Sequence, residues 1–314
     1  MKPFLVVNPR SGGGATARHF DTITQAVRNA LGEVAHAFTE RPMHAAELTR
    51  KALADGHDLV IAVGGDGTIN EVANGFFAEA RLGDEARPLR PGAALAVLPR
   101  GTGGDLRRSI GLDADLWRNC ERLKGEWKPV DVGRVDCHDD RGRPLSRYFI
   151  NVAEVGVGAE VVEIANRSSK ALGGKLTFKL ASVRALLGWR DVSIRASFDG
   201  GPAEDLEVTT FAIANGRYFG GGMMVAPEAK LDDGLFHITI WSGFTLLDFI
   251  LKGGAMYDGS HLKLKGTQTR TARTVRVEAG PKAPEPAAIE VDGERIGRLP
   301  ATFSVLPGVI RLVR

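Results

Sequence analysis

Leu59-Val60-Ile61-Ala62-Val63-Gly64-Gly65-Asp66-Gly67-Thr68-Ile69-Asn70-Glu71 joins an apolar run to a helical pattern. Five apolar residues without polar alternation suit a strand covered on both faces, as in the middle of a parallel sheet. Beyond the glycines, Ile69, Val72, Ala73, Phe76 and Phe77 follow helical spacing. Gly64, Gly65 and Gly67 lack the side chains that would keep a phosphate away from the backbone. The helix start behind them offers unpaired N–H groups and a partial positive charge. Asp66, in the same turn, can hold a cation that bridges phosphate oxygens. The segment reads as a nucleotide-phosphate site on a doubly wound sheet, an arrangement suited to a kinase.

Moving toward the N-terminus, Phe4–Val7 forms a short apolar strand followed by the loop Asn8-Pro9-Arg10-Ser11-Gly12-Gly13-Gly14. A helix over 15–31 carries Ile23, Val27 and Leu31 as its buried stripe. Val34–Phe38 forms the next strand and ends in Thr39, and Pro42 suits the first position of a helix running to about Ala54. Moving toward the C-terminus, the strand Ala93–Leu98 delivers a third loop, Pro99-Arg100-Gly101-Thr102-Gly103-Gly104-Asp105. Strand alternating with helix at this interval implies a parallel sheet with both faces covered. Ligands sit outside the carboxyl ends of such strands, so the loops 8–14, 64–68 and 99–105 are expected at one edge.

From about Trp127 the spacing shortens into β segments. They are Pro129–Val135, Tyr148–Val152, Val192–Phe198, Leu206–Ala214, Leu235–Trp241, Thr274–Glu278, Ile289–Val291 and Phe303–Leu306. Helical stretches over 159–187 and 244–257 interrupt them. The expected fold class is α/β plus β. A doubly wound parallel-sheet domain over residues 1–130 is followed by a β-sandwich-like domain over 131–314, with the active site in the cleft between them.

Composition narrows the function classes. A hydrophobic share of 43%, a charged share of 25% and a net charge of +3 over 314 residues describe a soluble globular chain. Neither the charge nor the aromatic content points to nucleic acid. No window reaches the roughly 20 apolar residues of a membrane span. The early strand leaves no room for a signal peptide, and Cys120 and Cys137 sit in no metal-ligand spacing. A cytoplasmic protein with two reduced thiols is expected.

Taken in order, several motifs resemble the diacylglycerol-kinase catalytic family, in particular soluble bacterial lipid kinases related to sphingosine kinases. They are Asn8–Gly12, Gly64–Glu71, Gly101–Asp105, Asn151–Gly158, Pro227–Leu235 and Asp292-Gly293-Glu294. The resemblance implies an ATP site lined by Asn8, Ser11, Gly12, Thr39, Gly64, Gly65, Asp66, Gly67, Thr68, Ile69, Asn70, Glu71 and Thr102. It implies that Glu294, with Asp292 beside it, supplies the base for the acceptor hydroxyl. It also implies a structural Mg2+ site formed by the Asp233 carboxylate and the carbonyls of Lys230 and Leu235. On turn chemistry alone, Asp232-Asp233-Gly234 and Asp292-Gly293 are equally hairpin signals. One departure is Gly104, where the family usually carries Asn; Arg100 and Arg107 flank it. An NAD kinase-like enzyme shares Gly64–Thr68, and a nucleotide-binding regulator without catalysis is a further alternative.

The family implies a lipid acceptor, diacylglycerol first and sphingoid, ceramide-like or phosphatidylglycerol-type lipids behind it. Such an acceptor requires transient contact with a membrane surface. Over Lys170–Arg190, Leu176, Leu180, Val183 and Leu187 make a helical stripe flanked by Lys175, Lys179 and Arg184. That helix either buries the stripe in its own domain or lies on anionic lipid. Phe244–Leu251 offers a second apolar patch with the same two readings. A homodimer is among the oligomeric states this pattern allows.

Overall fold

The strands form one continuous hydrogen-bonded sheet that carries two packing environments. The computed structural model describes residues 1–79, 82–101, 103–167 and 174–313. The first environment holds β1 (Pro3–Val7), β2 (Ala35–Phe38), β3 (Leu59–Gly64) and β4 (Ala94–Pro99), parallel in the order β4-β3-β1-β2. Helices α1 (Ala15–Arg18), α2 (Phe20–Leu31), α3 (His44–Ala54), α4 (Asp66–Gly75), α5 (Asp105–Ser109) and α6 (Leu116–Arg122) connect them. Alternate residues of these strands serve opposite faces. Val6, Val60, Ala62, Leu95 and Val97 pack with residues of α3 and α4, whereas Leu5, Val7, Ile61, Val63 and Leu98 pack with α2 and α6. Every residue of β3 is buried, as a strand covered on both faces requires. The helix expected over 15–31 breaks at His19, and α3 begins at His44 behind Met43, which takes φ 62°.

The second environment is antiparallel. It contains β5 (Trp127–His138), β6 (Pro144–Phe149), β7 (Val152–Gly156), β8 (Val192–Phe198), β9 (Glu204–Val208), β10 (Thr210–Ala214) and β11 (Phe236–Trp241). It continues with β12 (Thr267–Ala272), β13 (Thr274–Ala279), β14 (Ala288–Val291) and β15 (Glu294–Val313). Phe149, Phe211, Phe236 and Phe303 anchor its core. Among the described residues, four α-helices lie outside it: α7 (Val157–Arg167), α8 (Gly174–Leu186), α9 (Leu246–Lys252) and α10 (Ala255–Asp258). Of the basic amphipathic stretch, residues 170–173 and the side chains of Lys175, Leu176 and Lys179 fall outside the described set.

Several β segments differ from expectation for physical reasons. The segment expected over Tyr148–Val152 divides into β6 and β7, because the backbone N–H groups of Ile150, Asn151 and Val152 turn to the Asp292 carboxylate. Leu206–Ala214 divides at Thr209: β9 pairs with β8, whereas β10 pairs with β7 and β11. β12 reads Thr-Gln-Thr-Arg-Thr-Ala and lies at the edge of the sheet, so apolar alternation does not mark it. Phe303–Leu306 is the middle of a 20-residue strand whose register shifts near residues 299–301 and 307–309 hide its length. β15 pairs with β14, β13 and β5, then runs parallel to β4 through Arg311 and Leu312.

Candidate active site

The three loops beyond the carboxyl ends of β1, β3 and β4 meet, and their sequence explains how. Asn8 Nδ2 donates to Thr68 Oγ1 at 3.0 Å, joining the first loop to the second. Ser11 Oγ donates to the Asn8 carbonyl at 2.9 Å and so shapes the first loop. A Cβ on Gly12 would lie 2.9 Å from the Arg100 carbonyl, and one on Gly101 would lie 2.4 Å from Gly65 Cα. These glycines let the loops cross backbone to backbone, which no larger residue permits. Thr39 follows β2 at the same edge, its N–H bound to the Val7 carbonyl at 2.8 Å. Thr102 lies outside the described residues.

Asp66 latches the second loop to the third. Its Oδ2 accepts from Gly104 N–H at 2.7 Å, and its Oδ1 from Asp105 N–H at 3.1 Å and Leu106 N–H at 3.4 Å. A carboxylate at the first turn of α5 satisfies N–H groups that the helix cannot. Asp105 stands beside it. Burial and the neighbouring Asp66 charge push the Asp105 carboxyl up to about 6. Arg108 at 3.1 Å and Gly221 N–H at 2.9 Å hold it in place.

Three other members of the 65–71 segment are occupied by packing. Ile69 is a core residue. Glu71 accepts from Ala45 N–H at 3.0 Å, tying α4 to the start of α3. Asn70 Nδ2 donates to the Tyr148 carbonyl at 3.0 Å and to Asp292 Oδ2 at 2.8 Å, tying α4 to the second half of the chain.

Asp292 and Glu294 separate in role. Asp292 accepts from Asn70 and from the N–H groups of Ile150, Asn151 and Val152 at 2.8–3.1 Å. With four donors its carboxylate is an anchor, although burial pushes its carboxyl upward. Glu294 accepts no hydrogen bond from the described residues. Its Oε1 would lie 3.4 Å from a Cβ on Gly67, so it reaches the second loop from the opposite side of the cleft. Burial, then the Glu71 charge, raises its carboxyl above the usual range. A half-covered carboxylate with open lone pairs and a raised affinity for protons can act as a general base.

A cavity of about 220 Å³ lies beside Asp66 and Gly293, lined also by Asp105, Glu154, Glu290 and Asp292. Glu154 of β7 stands directly opposite Glu290 of β14 in the antiparallel register, so their side chains share one face. Burial pushes the Glu154 carboxyl up to about 7 and holds that of Glu290 well above its ordinary value, where the Glu154 charge adds to the effect. Glu154 Oε1 accepts from Gly158 N–H at 3.0 Å, and Gly293 N–H donates to Glu290 Oε1. Carboxyl groups that keep their protons near neutrality can both donate to and accept from a neutral polar ligand.

Asp105, Glu154 and Glu290 carry no functional expectation from the sequence. Their signal is nonetheless present: Ala153-Glu154-Val155 and Ile289-Glu290-Val291 each set an acid between apolar residues of a fully buried segment. In the Pro227–Leu235 loop, Asp233 Oδ1 accepts from Leu235 N–H at 3.1 Å and Oδ2 pairs with His237 Nε2 at 2.9 Å. Each Asp233 oxygen retains a second lone pair, so the carboxylate can still serve an oxygen-seeking cation.

Comparison with known proteins covers nearly the whole chain. Residues 2–135 match the family described as the diacylglycerol kinase catalytic domain. Residues 151–314 match the YegS C-terminal NAD kinase beta sandwich-like domain. A diacylglycerol kinase of Bacillus subtilis (strain 168) is 28% identical over 95% of this chain and 91% of its own length. A probable lipid kinase YegS-like protein of Pseudomonas aeruginosa is 28% identical over 99% and 93%. The crystal structure of a diacylglycerol kinase from Bacillus anthracis str. Sterne superposes with a TM-score of 0.69 at 22% identity, covering 99% of this chain and 96% of the other. That likeness shows the same two-domain fold.

Proposed function

Because the chain belongs to the lipid-kinase family built from a diacylglycerol kinase catalytic domain and a YegS-type C-terminal domain, we propose that it transfers the γ-phosphoryl group of ATP to a lipid hydroxyl. Diacylglycerol is the proposed acceptor and phosphatidic acid the product. The observation that carries this reading is the approach of Glu294 to Gly67 across the cleft. It brings an available carboxylate to a helix N-terminus suited to phosphate.

In this reading the backbone N–H groups of the 8–14 and 64–68 loops and the start of α4 orient the triphosphate. Glu294 takes the proton of the acceptor hydroxyl as its oxygen bonds to phosphorus and the bond to the ADP leaving oxygen breaks. Asp66, with Asp105 beside it, would hold Mg2+, which neutralises charge on the phosphates when bound. Asp233 and the carbonyls of Lys230 and Leu235 would hold a second, structural Mg2+. Residues 1–130 would serve the nucleotide and 131–314 the lipid.

Labelled ATP with magnesium, offered to diacylglycerol, ceramide, sphingosine and phosphatidylglycerol in mixed micelles, tests this directly. Labelled phosphatidic acid, absent with Glu294→Gln, is the expected result. Label on NAD in a parallel assay would replace the acceptor with a nucleotide. ATP binding without label on any acceptor would favour a regulator.

A further inference from the structure

We propose that Glu290 is a positioning residue for the catalytic base: with Glu154 behind it, it latches the turn that carries Glu294 into the cleft. The inference rests on the lipid-kinase reading with Glu294 as its base, and it adds a working part to that site.

Only Asp292 and Gly293 separate β14 from β15, and Glu294 is the first residue beyond them. Both take positive φ, 47° at Asp292 and 92° at Gly293, as a tight two-residue hairpin demands. Asp292 enters this left-handed region against a strain that glycine escapes. The ladder behind the turn is also interrupted, because the β14–β15 register slips between Ile289 and Glu290. Side chains complete what the ladder leaves undone. Asp292 ties the first turn residue to α4 and to the backbone of residues 150–152. Glu290 takes the second, its Oε1 accepting from Gly293 N–H. A shift of about 1 Å at a reacting group costs on the order of a hundredfold in rate, so a bond that fixes Gly293 bears directly on Glu294.

Glu154 supplies the support. It stands opposite Glu290 in the register, and both side chains are buried. Glu154 Oε1 accepts from Gly158 N–H at 3.0 Å, whereas its Oε2 is buried with no hydrogen-bond partner among the described residues. That oxygen has room because residue 158 is glycine; a Cβ there would lie 1.4 Å from it. Burial and the Glu154 charge hold the Glu290 carboxyl well above its ordinary range. Its O–H donates to Glu154 Oε2, while its other oxygen holds Gly293.

No cation offsets the pair. The acids facing it are Asp105 of α5, Asp292 of the turn and, across the cavity, Asp66 of α4. Arg108 is already paired with Asp105, and Arg295, opposite Glu290 on β15, with Glu163 and Asp140. α7 turns Glu160 to solvent, and β10 sets Ala212 opposite Glu154, with the Thr210 hydroxyl close by. The two carboxyls therefore titrate as a unit. Losing their last proton sets two buried charges side by side and releases the turn.

The test compares wild type with Glu290→Ala and Glu290→Gln over a pH series, with folding checked by melting temperature. Glu290→Ala should lower kcat for diacylglycerol in mixed micelles on the order of a hundredfold, with the KM for ATP little changed. Glu290→Gln keeps an oxygen for Gly293 and an N–H for Glu154, so it should restore most of that loss. Wild-type kcat should fall on the alkaline side. That limb should vanish in Glu290→Gln while the acid limb of Glu294 remains. Exchange of the Gly293 amide, followed by NMR, reads the latch without turnover. At one pH it should be about tenfold faster in Glu290→Ala than in wild type. Should Glu290→Ala not fold, the alkaline limb in Glu290→Gln carries the test. Wild-type kcat in Glu290→Ala, or an alkaline limb that survives in Glu290→Gln, would overturn the proposal. So would equal exchange of the Gly293 amide. Faster exchange in Glu290→Ala, with no lipid phosphorylated by wild type, would uphold the latch and remove the kinase reading.

Discussion

Gly104 holds φ 68° and ψ 39°, in the left-handed region that glycine enters freely and asparagine tolerates better than other side chains. The backbone accounts for either residue at this point of the third loop. A Cβ here would lie 3.1 Å from Arg107 Nε, so Arg107 covers the space an asparagine side chain would take. Gly104→Asn should fold and stay within about threefold of wild-type turnover. Gly104→Val should lose about 1–2 kcal/mol and most of its activity, as melting curves and initial rates would show. Glu294→Gln should lower kcat by roughly 10²–10⁴-fold with little change in the KM for ATP. Wild-type kcat/KM should fall as pH drops through the raised Glu294 pKa, and that acid limb should vanish in the variant. Glu154 bears on stability. Its carboxyl sits at about 7 in the folded protein against an ordinary value of 4.5, so the folded state binds the extra proton. The associated stability is full below the ordinary value and is lost as pH rises through 7. Glu154→Gln removes the titration. The variant should gain roughly a few degrees of melting temperature over wild type at pH 8, with a smaller difference, or a reversed one, at pH 5.

Among the elements, the parallel strands and their loops are the part most legible in sequence. β3 is an unbroken apolar run, and glycines announce all three loops. The antiparallel half is less so, because bulges interrupt alternation in β15 and polar residues fill the edge strand β12. Of the candidate site, the phosphate loops can be picked out from residue type and spacing, whereas Glu294 is singled out only by the family resemblance. The Glu154–Glu290 pair cannot, since it arises only when β7 and β14 bring residues 136 positions apart into register. Asp292 shows the same limit: its Asp-Gly turn is visible locally, but the donors that fill its carboxylate come from α4 and the start of β7. Asp292→Ala would leave those buried donors without a partner and should yield little soluble protein. Asp292→Asn, which keeps one acceptor oxygen, should fold with a lower melting temperature. Soluble yield and thermal unfolding of the pair would distinguish the two effects.

At the scale of the whole molecule, β5 and β15 run antiparallel through both packing environments. Val130 and Val132 of β5 sit in the same core as Val60 and Leu95, while Val135 and Cys137 sit in the core of Phe303. No flexible spacer separates the halves along these strands. Thermal unfolding followed by far-UV circular dichroism and by calorimetry should therefore show one coincident transition; two resolved transitions would mean that the halves melt independently. The pairing of Arg311 and Leu312 with Ala94 and Leu95 has a consequence for how the protein is made. Ile310, Leu312 and Val313 pack into the cores of the half that a ribosome produces first. That half emerges early but remains short of a strand until translation reaches Arg311 and Leu312. In the interval, the open edge of β4 waits for a partner, and a chaperone that shields nascent strands would have most to do there.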